Sequence, residues 1–276
     1  MLRLLRIIWW PGAESNRSEE AGSGSIYCSN ILAIILDHTA SMKLLPFPFL
    51  FLLMLHAAPV WSARPFVTDD ARLTTEGSCQ VETWSRVYKD STEFWALPAC
   101  NPTGNLEITL GGGRASYSDE SKDSNSDYVF QVKTLLKKLD TNGIGYGIAL
   151  GTVKHPAVNP GPNLLGNTYA YLPISTSFLD DKFVLHVNVG WLRENVTNRD
   201  LATWGLGSEF NVNERVTWMI ETFGDSRANT YWQAGGRFSL IPQLLQVDTT
   251  LGQSATSENG SQWISFGLRF TPARLF

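Results

Sequence analysis

Apolar and polar residues alternate in segment after segment of this chain from Cys79 onward, which predicts β-strands rather than helices. One segment, "QVKTLLKKLD" (131–140), also has helical spacing, but its shortness and the "TNG" turn that follows favour a strand. The pattern gives twelve strands, at residues 79–88, 93–100, 105–117, 128–138, 143–153, 167–178, 182–192, 200–211, 214–223, 229–240, 244–252 and 261–271.

The links between these strands alternate in length. Links after even strands are tight ("NPTG", "DTNG", "LDDK", "VNE", "IPQ"), whereas most links after odd strands are longer and more polar. This asymmetry, with an even strand number, is typical of bacterial outer-membrane barrels. We therefore predict an all-β fold, a twelve-stranded antiparallel transmembrane barrel over residues 63–276. A soluble barrel or sandwich is the alternative, because alternation alone does not tell which face is buried.

The stretch "GIGYGIALG" (143–151) has small residues on one face and bulky apolar residues on the other. We expect the bulky face to meet lipid and the small face, with Gly145 and Gly147, to line the lumen. There it either widens the lumen or makes room for long side chains from other strands. The outward set on these strands is Ile144, Tyr146, Ile148, Leu150, Phe183, Leu185, Val187, Val189, Trp204, Leu206, Phe210, Trp232, Phe238, Leu240, Ile264, Phe266, Leu268 and Phe270.

Charges of both signs occupy the inward positions. They form either a network that pairs with itself and partly fills the lumen or a narrow polar channel, and we favour a narrow passage with the loop at 153–167 as its lid. The predicted lumen-lining residues are Glu82, Arg86, Glu107, Lys133, Gly145, Gly147, His186, Glu209, Glu221, Arg237, Asp248 and Arg269, and the inward charges further include Glu93, Lys137 and Arg215.

The first 62 residues are not expected to belong to the barrel. Residues 42–62 combine a basic start, an apolar run and a small-residue exit, which predicts a secretory signal peptide. Residues 1–41 precede it, and "GAESNR" (12–17) is what the antisense of a transfer-RNA T-arm encodes, so we interpret this stretch as a misassigned, disordered upstream extension. An unusually long leader is the alternative.

Only Cys79 and Cys100 remain in the predicted mature part. Export to an oxidising compartment favours a disulfide between them, across a hairpin centred at residues 89–90. Two free thiols are the alternative. The same register sets two further pairs opposite each other, Arg86 with Glu93 and Trp84 with Trp95.

Catalytic, metal and nucleic-acid functions find little support. The mature part has two histidines, His155 in a Pro-rich loop and His186 facing inward, and nothing near them resembles a lipase motif. "DSNSD" (123–127) lacks the glycine and the glutamate of a calcium loop, and no His/Cys cluster has zinc spacing. A net charge of −4 does not favour nucleic-acid binding. We predict no enzyme activity, no cofactor and no metal.

Four motifs carry a resemblance to a known family: "ARPFVTDDA" (63–71), "GSCQVETW" (77–84), "LEITLGGGR" (106–114) and "KTLLKKLDTNGIGYG" (133–147). With the twelve-strand layout they resemble the exported outer-membrane proteins of the MetA-pathway of phenol degradation family, over roughly residues 63–276. The resemblance implies a transmembrane barrel and a role in moving aromatic or other hydrophobic compounds, without any catalytic motif.

From these features we expect a monomeric outer-membrane channel or transporter for small hydrophobic or aromatic compounds. A non-transporting structural barrel and a soluble periplasmic ligand-binding barrel are the alternatives. Its expected partners are outer-membrane lipid, the small-molecule solute and the barrel-insertion machinery, which often recognises a terminal aromatic residue such as Phe276.

Overall fold

The computed structural model describes residues 66–119, 121–154, 163–256 and 262–276. The predicted extension (1–41) and signal peptide (42–62) lie outside the described residues and stay predictions. The strands are β1 (Ser78–Tyr88), β2 (Ser91–Asn101), β3 (Glu107–Tyr117), β4 (Asn125–Lys137), β5 (Ile144–Lys154), β6 (Thr168–Phe178), β7 (Phe183–Glu194), β8 (Arg199–Asn211), β9 (Val216–Asp225), β10 (Thr230–Ile241), β11 (Leu245–Ser254) and β12 (Trp263–Phe270).

Each strand pairs antiparallel with the next one along the chain, and β12 pairs with β1, so that the sheet closes into a barrel. Closure leaves no unpaired sheet edge. The predicted all-β fold with twelve antiparallel strands is confirmed, as is the strand at 131–140, most of which lies in β4. No helix in the described part of the chain is long and apolar enough to cross a membrane.

The β1–β2 hairpin has the register that the sequence predicts. Cys79 lies opposite Cys100, and a disulfide joins them. The register continues to the loop side of the hairpin, where Arg86 pairs with Glu93 and Trp84 with Trp95.

The two ends of the barrel differ. The end formed by links 102–106, 138–143, 179–182, 212–215 and 242–244, where β1 begins and β12 ends, is called the turn end, and the opposite end is called the loop end. Two loop-end links predicted to be long are short, at 195–198 and 226–229, because strand pairing extends beyond the predicted strands, for example between Glu194 and Arg199.

The outer surface of the barrel is apolar. Exposed outward side chains include Leu110 (59%), Trp218 (59%) and Leu251 (61%), and the alternate inward positions are buried and mostly polar. The predicted division of faces agrees with this burial pattern on β5, β7, β8, β10 and β12. Charged side chains on outward positions lie near strand ends: Arg114, Lys154, Arg193 and Asp200 near the loop end and Lys137 near the turn end.

Candidate functional site

Residues 66–77, here called the plug segment, precede β1 and lie against the inward face of the barrel wall. The segment forms no strand, so its backbone N–H groups need other acceptors. Buried wall side chains accept them: Glu221 from Val67 (2.7 Å) and Thr68 (2.8 Å), Ser175 from Ala71 (2.8 Å) and Glu107 from Thr74 (2.7 Å).

Ion pairs add to these hydrogen bonds. The Lys133 ammonium lies 2.8 Å from a carboxylate oxygen of Asp69 and 3.6 Å from one of Asp70. The Arg72 guanidinium lies 3.4 Å from Asp70 and 3.4 Å from Glu209. Because a buried charge is costly unless it is paired, the plug segment and the wall stabilise each other's charges.

Glu209 is the centre of this network. Arg237 donates to it at 3.1 Å, and Nε2 of His186 lies 3.7 Å from it. The other ring nitrogen of His186, Nδ1, is 2.8 Å from the Ser175 hydroxyl. This Ser–His–Glu arrangement resembles a nucleophile with its base, but Ser175 is fully buried and bonded to the backbone N–H of Ala71. A substrate would find the hydroxyl covered, so the arrangement holds the plug segment.

The remaining predicted lumen charges lie opposite one another on neighbouring strands. Glu82 lies 4.0 Å from Arg269, and Arg86 lies 3.6 Å from Glu93. Asp248 is the register partner of Arg237. The structure thus brings Glu107, Lys133, His186, Glu209 and Glu221 together around the plug segment, with Arg237 bonded to Glu209, while Arg86 lies towards the loop end.

Two predicted inward charges are wrong. Lys137 is exposed, because the register shift between Leu135 and Lys137 interrupts the alternation of faces in β4. Arg215 is exposed because it lies in the link between β8 and β9 rather than in a strand.

The small face of β5 makes room for neighbouring groups. A Cβ on Gly151 would lie 2.7 Å from a ring carbon of Tyr169, and one on Gly145 would lie 2.6 Å from the backbone nitrogen of Leu139. At Gly147 it would lie 2.9 Å from a side-chain carbon of Leu135. These glycines do not widen the lumen, because other groups already occupy the space.

An apolar cluster fills inward positions closer to the loop end. The indoles of Trp84 and Trp95 stack with centroids 5.6 Å apart and planes 9° from parallel. These residues are not among the predicted lumen-lining residues, although Trp84 lies on the same face of β1 as Glu82 and Arg86. The cluster consists of Trp84, Trp95, Ala115, Val129, Val153, Tyr169, Leu192 and Leu201.

A cavity of about 160 Å³ lies between the plug segment and this cluster. Asp69, Arg72 and neighbouring plug residues form one side of it, and Trp84 and Tyr169 form another. Residues 163–165 of the β5–β6 link also line it. The predicted lid at 153–167 is described only in part, because residues 155–162, with His155, lie outside the described residues.

Most polar groups that line this cavity are hydrogen-bonded or ion-paired to other protein groups. Arg86 donates to the side-chain oxygen of Asn163 at 3.3 Å, and Tyr169 donates to Gln131 at 3.0 Å. Tyr171 donates to Asp69 at 2.7 Å. Within the ranges that the structure describes, no group of His, Cys, Asp and Glu could hold a metal ion.

Fold and site together define a closed antiparallel β-barrel whose lumen contains the plug segment and a cavity beside it. The chain matches the family described as "Uncharacterised conserved protein UCP029691" over residues 50–271 and belongs to that family. The resemblance to the phenol-degradation family is not confirmed by this match. No curated protein matches the chain.

Several solved barrels are similar to this chain. The KdgM porin aligns with a TM-score of 0.48 at 8% identity, covering 69% of this chain and 98% of that one. The NanC porin gives 0.46 at 11%, covering 71% and 100%. The COG4313 outer membrane channel from Pseudomonas putida F1 gives 0.49 at 14%, covering 75% and 98%. At these scores and identities the likenesses carry no inference about ligand or location.

Proposed function

We propose that this protein is an outer-membrane barrel that binds and passes a small, mainly apolar or aromatic solute through its lumen. The observation that carries the proposal is the cavity inside a barrel whose outer surface is apolar. Its monomeric state and its recognition by the insertion machinery stay predictions.

The outer surface supports the membrane location. Large apolar side chains are exposed along the strands, for example Phe130 (42%), Ile220 (57%) and Phe266 (54%). A soluble protein rarely exposes so continuous an apolar surface, whereas lipid accommodates it. Tyr128 and Trp191 near the loop end and Trp218 near the turn end suit the aromatic girdles of such barrels.

The cavity supports the solute class. Its volume of about 160 Å³ is close to that of an engineered apolar cavity of about 150 Å³ that takes up benzene. Trp84, Val129 and Tyr169 supply flat or branched apolar surface, and Leu164 and Leu165 extend it. Arg86, Lys133 and the carboxylates at the cavity already have partners, so a neutral ring needs no new ion pair.

A purely structural barrel is the second candidate. The plug segment occupies part of the lumen and is held there by hydrogen bonds and an ion pair to wall side chains. A barrel of this kind would neither bind nor pass a solute.

Solute binding to the purified protein separates these candidates. We expect benzyl alcohol to quench tryptophan fluorescence saturably in detergent, because Trp84 lines the cavity. Ala99→Leu places a larger side chain in the cavity and should weaken binding. Ala96→Leu is the matched control, because Ala96 lies on the outward face of the same strand.

Uptake by intact cells completes the test. Cells that produce the protein should accumulate radiolabelled benzyl alcohol faster than a deletion strain, and Ala99→Leu should reduce the difference. Equal uptake by both strains, with no saturable binding, would leave the structural barrel as the better account.

A further inference from the structure

The plug segment is attached to the barrel in a way that allows it to leave. Residues 66–74 contact the wall through hydrogen bonds to side chains, ion pairs and the ring contact of Phe66 with His186. Gly77, next to β1, donates to the backbone carbonyl of Asn101, and no strand pairing includes the segment. Each wall strand, in contrast, pairs on both sides. Removing the plug segment therefore breaks no part of the ladder that closes the barrel.

The wall is shaped to receive this segment. A Cβ on Gly205 would lie 3.2 Å from side-chain carbons of Thr68, and one on Gly207 would lie 3.3 Å from the Phe66 ring. Both glycines face inward on β8, and larger residues there would overlap the plug segment. A larger side chain at Gly205 should therefore displace the plug segment without shortening the chain.

The plug segment forms one side of the cavity, which also reaches residues 163–165 of the β5–β6 link. Asp69, Arg72 and Thr74 line the cavity, and the plug segment itself fills the part of the lumen next to it. If the segment leaves, the two spaces join and the lumen opens towards the turn end.

The wall that would then be exposed is rich in carboxylates. Glu221 would lose the two backbone donors of Val67 and Thr68, and Glu107 would lose that of Thr74. From the middle of the barrel to its turn end the inward carboxylates are Glu82, Glu107, Glu209, Glu221 and Asp248, and the inward cations are Lys133, Arg237 and Arg269. Rings of carboxylates favour cations in pores.

We infer that residues 66–77 are a gate, and that their displacement opens a pore through the barrel that passes small cations in preference to anions. The inference rests on the proposed membrane location. It adds a permeating species and a moving part that the solute cavity does not require.

Planar-bilayer recordings under a KCl gradient test the gate. The mature chain should be mostly closed, whereas a chain lacking residues 66–73 should open stably with a reversal potential on the cation side. Gly205→Leu, with the full segment present, should raise the open fraction roughly tenfold or more. The reason is that overlap with Thr68 destabilises the closed state relative to the open state by about that factor. Gly236→Leu is the matched control, because Gly236 lies on the outward face of β10.

Glu221→Gln in the shortened chain tests the selectivity. It should reduce the preference for cations while the conductance persists, because it removes one inward negative charge. Vesicle flotation and heat-dependent gel migration verify insertion and folding for each variant, and Gly205→Leu decides the question if the shortened chain does not fold.

The outcomes separate the two proposals. A chain that does not enter vesicles rejects the membrane location, and the gate with it. Inserted, folded variants that stay closed, or a mature chain that is already as open as they are, reject the gate alone. An open pore that prefers anions rejects the assigned selectivity.

Discussion

Ile148 and Ile144 lie on the same outward face of β5, the first near the middle of the strand and the second at its turn end. Ile148→Arg should cost about 2–4 kcal/mol of unfolding free energy in a bilayer, because it places a charge at the depth of the hydrocarbon midplane. Ile144→Arg should cost about 0–1 kcal/mol, because the guanidinium can reach the interface. Urea unfolding in lipid vesicles, followed by tryptophan fluorescence, measures both. Equal costs would contradict the lipid-facing assignment.

Gly151 lies under the ring of Tyr169, which is buried and bonded to Gln131. Gly151→Ala should therefore cost about 1–3 kcal/mol, because the ring cannot move aside without losing its packing. Gly236→Ala, whose Cβ would come no closer than 3.3 Å to Trp218, should stay within about 0.5 kcal/mol. The same unfolding assay compares them. If Tyr169→Ala does not relieve the cost at Gly151, overlap with the ring is not its cause.

At the scale of the element, the β1–β2 hairpin carries the disulfide, with a sequence separation of 21. Reduction should lower the unfolding free energy by about 3 kcal/mol, because the unfolded chain loses a loop constraint of this length. Unfolding curves with and without reductant measure the change. The Cys79→Ser/Cys100→Ser variant should show no response to reductant, and a response in that variant would assign the effect to something else.

At the scale of the whole molecule, every wall strand is paired on both sides. We expect the folded barrel to resist SDS without heating and to migrate differently on a gel after boiling, because the closed ladder exposes no edge from which to unravel. The Cys79→Ser/Cys100→Ser variant is the control, since its shift cannot come from the disulfide. Unchanged migration, with the protein dissolved in the absence of detergent, would favour a soluble barrel.

The faces and the number of strands could be read from the sequence because both follow from a local rule. Side chains alternate along a strand, so Ile144, Tyr146 and Leu150 go outward wherever the strand lies in the barrel. The rule fails where the backbone departs from it, as at the bulge before Lys137. The β1–β2 register was also accessible, because two cysteines in one hairpin allow one alignment.

The position of the plug segment inside the barrel could not be predicted from the sequence. Thr68 bonds to Glu221, which is 153 residues away, and Ala71 bonds to Ser175, 104 residues away. No spacing along the chain encodes such pairs, because they exist only once the closed wall brings β6 and β9 around residues 66–77. The sequence by itself determined the alternation of inward and outward positions along the regular strands, because that alternation is local. Only the tertiary structure decided that several of the inward charges, among them Lys133, Glu209 and Glu221, bind the plug segment.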